Sequence, residues 1–340
     1  MDKQLERLPI PLLEWYRENA RVLPWREDPT PYHVWLSEVM LQQTRVAAVM
    51  GYYTNLLQCC PTVADLAELP EERLMKLWQG LGYYSRARSL HRTAKIIVEE
   101  YGGRFPSDYD AIRALPGVGD YTAGAICSIA FGMPTPAVDG NVLRVVSRIT
   151  GDDGDISTQA MKKQVTCALR EVIPTKAAGD FNQALMELGA LVCLPNGAPL
   201  CGKCPAHSFC VACQTGRTGE LPVKAPKKAR RVEKRDVFLI FYEKKVALRR
   251  RPPKGLLAGL WEFPCEFAPA RCPVSGWESG AHMGKHIFTH VEWHMKGHVL
   301  HADDDELPEG WVWADRAELA NTYAIPNAFS DFARVVDQYL

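Results

Sequence analysis

The chain has 340 residues, of which 47% are hydrophobic and 24% are charged, and its formal net charge is zero. This length suffices for two domains with buried cores, and the composition excludes a disordered or fibrous protein. No run of about 18 uncharged apolar residues occurs, and the first residues contain no apolar leader. We therefore expect an intracellular protein with no membrane partner, which in a bacterium would lie in the cytoplasm or nucleoid.

The first half of the chain has the pattern of a mainly α region. From 12 to about 193, apolar residues recur at helical spacing, with proline and glycine between the segments. The strongest predicted helix spans 31–51, because a Thr-Pro pair at its start favours a capped first turn. Glu38, Gln42 and Arg45 should then form one polar stripe, for which a solvent-facing surface is the simplest explanation.

A glycine turn, Leu115-Pro-Gly-Val-Gly119, opens directly into an apolar helix. Gly117 and Gly119 let the backbone approach a phosphate, and the free amides of the new helix carry partial positive charge. An ordinary turn between helices is the alternative, but the segment closely resembles the helix-hairpin-helix motif. About twenty residues further on, Ala137-Val-Asp-Gly-Asn-Val-Leu-Arg144 places Asp139 at or just before the start of the next helix.

Four cysteines stand close together in the order Cys193-x7-Cys201-x2-Cys204-x5-Cys210, and Cys213 follows. Thiolates at such short separations favour a soft metal, either tetrahedral zinc or an iron-sulfur cluster. Disulfides and chance clustering are the alternatives, and an intracellular location disfavours the first of them. The spacing by itself leaves zinc and iron-sulfur open.

Residues 223–235 carry seven Lys or Arg against one Glu, with a proline and no apolar periodicity. We interpret them as a basic linker, either merely solvated or in contact with phosphates. The pattern then changes to short strands and a last helix, which predicts a smaller α+β domain over 236–340. The predicted strands are 237–242, 246–249, 293–300 and 311–313, and the predicted helix is 328–340.

The order of helix-hairpin-helix, Val138-Asp-Gly-Asn-Val142 and four-cysteine loop resembles the endonuclease III superfamily of base-excision DNA glycosylases. Further segments look like the adenine DNA glycosylases of the MutY family. These segments are Leu23-Pro-Trp-Arg26, Ser37-Glu-Val-Met-Leu-Gln-Gln-Thr44, Gly80-Leu-Gly-Tyr-Tyr84 and Phe181-Asn-Gln-Ala-Leu-Met-Glu-Leu-Gly189. The resemblance covers nearly the whole chain. It implies a helix-hairpin-helix glycosylase domain over 1–222, with two helical subdomains and an iron-sulfur loop at 193–213.

Removal of a base from DNA needs an acid for the leaving base and a carboxylate for the sugar, which becomes cationic. The resemblance makes Glu38 the general acid, which later helps to activate water and needs a pKa raised by burial. It makes Asp139 the ionised carboxylate that stabilises the sugar, either directly or through a covalent adduct. Tyr121 and Asn141 match positions that hydrogen-bond these carboxylates or the adenine.

Tyr121 also bears on the type of reaction. Bifunctional relatives have a lysine at this point of the motif, and its amine forms a Schiff base with the sugar. A tyrosine cannot do so, and we predict a monofunctional glycosylase without an efficient β-lyase step.

The target adenine must leave the base stack, so other side chains have to fill or wedge the duplex. By resemblance, Gln43 inserts near the target pair and Tyr83 intercalates beside the lesion base. Leu81 and Gly82 shape the turn that presents Tyr83. Core packing is the alternative explanation for this tyrosine.

The segment from Arg251 to Pro264 resembles the start of a nudix-type fold. The Glu-rich, magnesium-binding helix of nudix hydrolases is missing from 264–273, which offers one Glu and several prolines. We interpret 236–340 as a nudix-like lesion-recognition domain without the hydrolase signature. Phe288, Thr289 and His290 match the family loop that contacts 8-oxoguanine. Five histidines between 282 and 298 suggest a polar loop cluster, and zinc binding by His282, His286 and His290 is an alternative.

The resemblance implies that the cysteine loop binds a 4Fe-4S cluster through Cys193, Cys201, Cys204 and Cys210. The family usually has six residues between the first two cysteines, whereas this chain has seven, which leaves Cys213 as a rival ligand. The expected substrate is double-stranded DNA with adenine opposite 8-oxoguanine or guanine, bound by a monomer. Alternatives are an endonuclease III-like oxidised-pyrimidine glycosylase/lyase, and a non-enzymatic iron-sulfur protein that binds DNA or transfers electrons.

Overall fold

The computed structural model describes residues 2–226, 229–266 and 274–340. The chain divides into two compact units, Met1–Glu68 with Ser89–Pro226 and Leu69–Arg88 with Lys227–Leu340. The sequence-based division places every residue up to 222 in one domain. In the structure the segment Leu69–Arg88 packs with the C-terminal residues, so each unit is built from two separate stretches of chain.

The described residues up to 226 form helices joined by loops, as the apolar spacing predicts. The helices are α1 (Lys3–Glu6), α2 (Pro9–Asn19), α3 (Pro24–Glu27), α4 (Pro31–Leu41), α5 (Val46–Cys59), α6 (Val63–Glu68), α7 (Glu71–Leu77), α8 (Ser85–Tyr101), α9 (Tyr109–Ala114), α10 (Asp120–Ile129), α11 (Gly140–Thr150), α12 (Gln159–Val172), α13 (Ala178–Leu191) and α14 (Val211–Gln214). A 3-10 turn, Cys201–Lys203, lies in the cysteine loop. Every helix among the described residues is too short or too polar to span a lipid bilayer.

Helix α4 is shorter than predicted. The Thr30 hydroxyl caps it by accepting a hydrogen bond from the His33 amide at 3.2 Å, but the helix already ends at Leu41. Gln43 has a φ of +58°, which lies outside the right-handed helical region, and α5 begins only after this break. The predicted continuous stripe is therefore wrong, because only Glu38 of its three residues belongs to α4.

Helices α11 and α13 pack together in one hydrophobic core of the first unit. Eight of the eleven residues of α11 are buried, including Arg144 and Arg148. The two backbones approach so closely that a Cβ atom at Gly189 would lie 2.6 Å from the Cβ of Asn141. This glycine therefore lets α13 fix the position of the first turn of α11.

The described C-terminal residues form a six-stranded mixed sheet with helices packed against one face. Its elements are β1 (Arg231–Tyr242), β2 (Lys245–Arg250), β3 (Trp261–Glu262), β4 (Val274–Ile287), β5 (Val291–Ala302), β6 (Trp311–Ala314), α15 (Arg316–Asn321) and α16 (Ser330–Tyr339). The strand order is β3-β2-β1-β5-β4, with β6 paired to β2. Strands β1 and β5 are parallel, whereas the other pairs are antiparallel. All four predicted strands and the last helix are confirmed, and Trp293, Phe329 and Phe332 are fully buried between sheet and helix.

The predicted linker is partly strand. Strand β1 begins at Arg231, inside the stretch 223–235, because this part of the chain pairs with β5 from Val291 onward. Lys227 and Lys228 lie outside the described residues. Contact between the linker and phosphates therefore stays a prediction.

Strand β4 was not predicted, and it changes the interpretation of the histidines. His282 and His286 lie on β4, and His294 and His298 lie on β5, so only His290 stands in the turn between the two strands. The predicted polar loop cluster is wrong. Two residues four positions apart on a strand are about 13 Å apart, too far for His282 and His286 to share one zinc ion.

The segment Leu69–Arg88 is tied to the C-terminal residues by hydrogen bonds from basic side chains to carbonyl groups. The Lys76 ammonium donates to the carbonyls of Leu319 and Tyr323 at 2.7 and 3.1 Å. The Arg88 guanidinium donates to the carbonyl of Ala258 at 2.5 Å. These contacts explain why a stretch from the helical half of the sequence belongs to the second unit.

Candidate active site and lesion-contact surface

A cavity of about 680 Å³ opens in the first unit, and five of the predicted site residues line it. Glu38 comes from α4, Tyr121 from the first turn of α10, and Asp139 and Asn141 from the start of α11. Gln43 lines the same cavity from the break after α4. The structure thus brings together five residues that are spread over about a hundred positions of the sequence.

Glu38 is a buried carboxyl group that accepts a hydrogen bond from a neighbouring hydroxyl. The Tyr121 hydroxyl donates to its Oε2, and the residue is only 6% exposed. Burial raises the pKa of Glu38 to about 7, although the hydrogen bond from Tyr121 opposes the rise. Burial and the neighbouring Glu38 raise the pKa of Tyr121, so the phenol stays a neutral donor. A proton can therefore reside on Glu38 near neutral pH.

Asp139 is the N-cap of α11, and its carboxylate accepts hydrogen bonds at both oxygens. Oδ1 accepts from the Val142 amide at 2.7 Å, and Oδ2 accepts from the Asn141 side chain at 2.8 Å. Burial raises the pKa of Asp139, and these hydrogen bonds oppose the rise. Because a helix N-terminus favours negative charge, Asp139 is the group of the two better suited to stay ionised.

Asn141 is itself held in place by a buried arginine. The Arg144 guanidinium donates to the Asn141 side-chain oxygen at 2.8 Å, to the Gly189 carbonyl at 2.8 Å and to the Cys193 carbonyl at 2.8 Å. This arginine fixes the amide that orients Asp139. It also joins the first turn of α11 to the beginning of the cysteine loop.

A charged group that the sequence motifs did not predict lies in the same cavity. Glu187 on α13 is 1% exposed and accepts hydrogen bonds from Arg21 at 2.7 and 2.9 Å and from Arg26 at 2.9 Å. Burial alone would raise the pKa of Glu187, but the two guanidinium groups lower it to about 2. The segments that contain Arg26 and Glu187 both resemble the family, but their contact becomes visible only in the folded structure.

The cysteine loop folds around a small cavity of its own. Cys193, Cys201, Cys204, Cys210 and Cys213 all line it, together with His207 and Arg148. The buried Arg148 donates to the Cys193 sulfur at 3.3 Å and to the carbonyls of Leu194 and Leu221. Among the described residues, no three His, Cys, Asp or Glu side chains converge on one point closely enough to hold a single metal ion.

The two glycines of the helix-hairpin-helix segment have different surroundings. Gly117 has a φ of +76°, and a Cβ atom there would lie 2.6 Å from the Cβ of Ser89. Gly119 precedes α10 and has nothing within 4 Å of an added Cβ. Of the two, only Gly117 is required by the fold, whereas the space beside Gly119 would accept a Cβ atom.

In the second unit, a cavity of about 670 Å³ lies between the turn at 80–85 and the turn at 287–291. The Tyr83 hydroxyl lies 3.1 Å from the Thr289 hydroxyl. Tyr83 is 45% exposed and has a φ of +47°, a conformation rarely adopted by bulky residues. Gly82, Phe288 and His290 line the same cavity.

Leu81 does not line this cavity. It is buried, and its carbonyl accepts a hydrogen bond from the Arg86 guanidinium at 3.1 Å. The Gly82 carbonyl accepts from Arg86 and from the Trp78 indole, both at 3.1 Å. Hydrogen bonds from Trp78 and Arg86 therefore hold the backbone of the turn that contains Leu81 and Gly82. Tyr83 is the side chain that this turn exposes.

Two family matches cover most of the chain. Residues 36–172 match the HhH-GPD superfamily base excision DNA repair protein family, and residues 236–334 match the NUDIX domain family. The Homo sapiens adenine DNA glycosylase is 40% identical over 307 residues, covering 74% of this chain and 56% of that protein. The adenine DNA glycosylase of Buchnera aphidicola subsp. Schizaphis graminum is 35% identical over 255 residues, covering 74% of this chain and 73% of that protein.

The chain spans a little over half the length of the mammalian relatives. Among solved structures, a thermostable thymine-DNA glycosylase superposes with a TM-score of 0.56 at 27% identity, covering 63% of this chain and 98% of that one. A trapped endonuclease III–DNA covalent intermediate superposes with a TM-score of 0.54 at 25% identity, covering 64% of this chain and 98% of that one. The share of this chain that each structure covers is similar to the share formed by the helical residues up to 226.

Proposed function

Because the chain belongs to the adenine DNA glycosylase family, we propose that it hydrolyses the N-glycosidic bond of adenine paired with 8-oxoguanine or with guanine in DNA. This proposal is carried by one cavity that contains two different carboxyl groups. Glu38 has a raised pKa, and the carboxylate of Asp139 caps the N-terminus of α11. Two carboxyl groups with different environments can act as an acid and as a stabilising anion.

In the proposed reaction, Glu38 donates its proton to the leaving adenine, and the neutral Tyr121 hydroxyl keeps the carboxyl oriented. Asp139 stabilises the positive charge that develops on the sugar, while Asn141 and the α11 amide hold its two oxygens. Glu38, now ionised, takes a proton from the attacking water. The reaction needs no amine, and tyrosine in place of lysine at 121 supports a monofunctional enzyme.

An extruded adenine needs polar partners as well as space. The Arg21, Arg26 and Glu187 network lines the cavity and presents guanidinium donors in fixed positions. Glu187 stays ionised, with its pKa lowered to about 2, and both of its oxygens accept hydrogen bonds that hold the two arginines in place. We propose these three residues as part of the adenine pocket.

For the opposite strand, we propose that Tyr83 wedges beside the lesion base and that Thr289 and His290 read 8-oxoguanine. The contact between Tyr83 and Thr289 supports this role, because it joins the predicted wedge to the predicted reading loop. Gln43 would fill the space of the extruded adenine, and Gly117 and Gly119 would hold the phosphate backbone. The proposed partner is double-stranded DNA, bound by a monomer inside the cell.

The cysteine loop fits a 4Fe-4S cluster in its donor set. Cys193, Cys201, Cys204 and Cys210 line one cavity, and a cluster takes one thiolate for each iron. The buried guanidinium of Arg148 lies against the Cys193 sulfur, where it would balance the negative charge of a thiolate-bound cluster. We propose that these four cysteines hold the cluster, which would pin the loop and supply no group to the proposed chemistry.

The proposed activity is tested with duplexes that carry adenine opposite 8-oxoguanine, adenine opposite guanine, or thymine glycol. We expect release of adenine from the first two, with strand breaks appearing only after alkali. Strand cleavage of the thymine glycol duplex without alkali would favour the endonuclease III-like alternative, and so would an adduct trapped by borohydride in catalytic yield.

A further inference from the structure

Two lysines that line the cavity of the first unit have no part in the proposed chemistry. Lys162 comes from α12, and Lys224 belongs to the basic linker 223–235. Lys224 is exposed and Lys162 is half-buried, whereas Glu38 and Glu187 are buried. The two lysines therefore lie at the end of the cavity that faces solvent.

The chain immediately before Lys224 is fixed beside the cavity. The Ile156 amide donates a hydrogen bond to the Val223 carbonyl at 3.1 Å, and Ile156 lines the same cavity. The carbonyl of the buried Leu221 accepts a hydrogen bond from the Arg148 guanidinium at 2.7 Å. Because both contacts precede Lys224 by no more than three residues, they keep this lysine at the cavity.

The positive charges that line the cavity have negative partners at its buried end but not at its open end. Arg21 and Arg26 pair with the Glu187 carboxylate at 2.7 and 2.9 Å. Within the part of the chain that the structure describes, no carboxylate forms an ion pair with Lys162 or Lys224. The open end therefore carries two positive charges that an anion can neutralise.

Asp155 is the acidic residue that the fold brings towards Lys224, because its neighbour Ile156 is bonded to Val223. Its Oδ1 atom, however, accepts hydrogen bonds from the amide and the hydroxyl of Ser157 at 2.8 and 2.6 Å. The Asp155 carboxylate thus fixes the local turn and does not form an ion pair with the lysine.

A nucleotide that has left the base stack remains joined to its strand by a phosphate on each side. When its base enters the buried end of the cavity, these phosphates have to stay at the end that faces solvent. Lysine and arginine side chains bind such phosphates, and the contacts position the strand without reading its sequence. The two lysines lie where an extruded nucleotide would need them.

We propose that Lys162 and Lys224 bind the backbone phosphates that flank the extruded adenosine. The contacts hold the sugar beside Asp139 and supply no group to the cleavage of the glycosidic bond. The first basic side chain of the linker is then part of the substrate site. The inference rests on the proposed excision of adenine, because it requires the nucleotide to enter this cavity.

The test measures the binding of a duplex with adenine opposite 8-oxoguanine over a range of salt concentrations. Lys162→Gln and Lys224→Gln should each weaken binding and reduce the slope of log affinity against log salt by about 0.9. Lys163→Gln is the matched control, because this neighbouring lysine on α12 is exposed and does not line the cavity. Lys162→Arg and Lys224→Arg keep the charge and should retain the binding of the wild type.

Duplexes with a neutral methylphosphonate in place of one phosphate beside the target adenosine locate the contact. The wild type and Lys163→Gln should bind these duplexes more weakly than the unmodified duplex. The double variant with glutamine at both cavity lysines should lose little further affinity, because the contact is already absent. A loss as large in the double variant as in the wild type would overturn the inference, and so would a salt slope equal to that of the wild type.

Release of adenine, followed on the same preparations, separates this inference from the activity on which it rests. Release by the wild type together with unchanged duplex binding by the double variant would defeat the phosphate contacts alone. A wild-type protein that shows the expected methylphosphonate effect but releases no adenine would defeat the proposed excision and leave the contacts in place.

Discussion

The Tyr121 hydroxyl donates a hydrogen bond to the Glu38 carboxylate inside the cavity of the first unit. The bond favours the ionised form of Glu38, but burial outweighs it and leaves the pKa at about 7. Tyr121 therefore orients the Glu38 carboxyl group and keeps its pKa from rising further.

We expect a bell-shaped dependence of adenine excision on pH. Glu38 has to be protonated, so the rate should fall as the pH rises through about 7. Asp139 has to be ionised, and burial raises its pKa, so the rate should also fall on the acid side. Excision measured with limiting DNA over a range of pH reports both groups in the free protein.

Tyr121→Phe provides the control for the alkaline limb. It removes the hydrogen bond that lowers the pKa of Glu38, so the limb should move to higher pH. A limb that moves to lower pH, or a wild-type rate that does not change between pH 6 and pH 8, would contradict the assignment of Glu38 as the acid.

Glu38→Gln should stabilise the protein at alkaline pH. The pKa of Glu38 is about 7 in the folded state against an ordinary value of 4.5. As the pH rises from 4.5 to 7, the unfolded chain loses this proton while the folded protein retains it, and stability falls. The variant avoids this cost, so its free energy of unfolding at pH 8 should exceed that of the wild type by about 1–3 kcal/mol.

Urea unfolding at pH 8 and pH 5 measures this difference, which should shrink at the lower pH. Glu187→Gln is the control of opposite sign. Its carboxylate is stabilised by Arg21 and Arg26, so this substitution should destabilise the protein near neutral pH. Equal stability of Glu38→Gln and the wild type at pH 8 would show that burial of Glu38 carries no cost.

Long amphipathic helices and alternating strands could be predicted from the sequence, because their periods are local properties of the chain. The end of α4 could not be predicted from the sequence, because no residue type after Leu41 indicates the left-handed conformation of Gln43. Strand β4 was missed because it contains several glycines and little apolar alternation. Strand β4 forms because its backbone pairs with β5, although its own sequence has little strand-forming pattern.

The predicted catalytic residues came from a resemblance between motifs, and the structure places them around one cavity. The Glu187 network was not predicted, because its partners Arg21 and Arg26 are about 160 residues away and meet only after folding. The sequence also did not predict that Leu69–Arg88 belongs to the second unit, for the same reason. Contacts between distant segments carry no periodic pattern in the sequence.

Gly117→Ala should destabilise the protein, and Gly119→Ala should not. Gly117 has a left-handed backbone, and its added methyl group would press on Ser89. The conformation alone costs about 1–2 kcal/mol. The site at Gly119 is open, so its variant should fold normally and bind duplex DNA more weakly.

Thermal unfolding and a DNA-binding titration of the two variants measure both effects. Equal unfolding temperatures of Gly117→Ala and the wild type would contradict the structural role of Gly117. Undiminished DNA binding by Gly119→Ala would contradict the phosphate contact proposed for this turn.

Thr289→Val should weaken the preference for adenine opposite 8-oxoguanine over adenine opposite guanine. The substitution keeps the shape of the side chain but removes the hydroxyl that lies 3.1 Å from the Tyr83 hydroxyl. Thr289→Ser retains the hydroxyl and is the matched control, which should keep the preference. The ratio of excision rates on the two duplexes measures the effect, and the same ratio for Thr289→Val and the wild type would remove Thr289 from lesion recognition.

The central claim is that Glu38 and Asp139 carry out the excision of adenine. The most direct measurement is single-turnover release of adenine opposite 8-oxoguanine by the wild type, Glu38→Gln and Asp139→Asn, with duplex binding measured on the same preparations. We expect both variants to bind the duplex and to lose excision by at least about a hundredfold. Excision by Glu38→Gln at the rate of the wild type would contradict the claim.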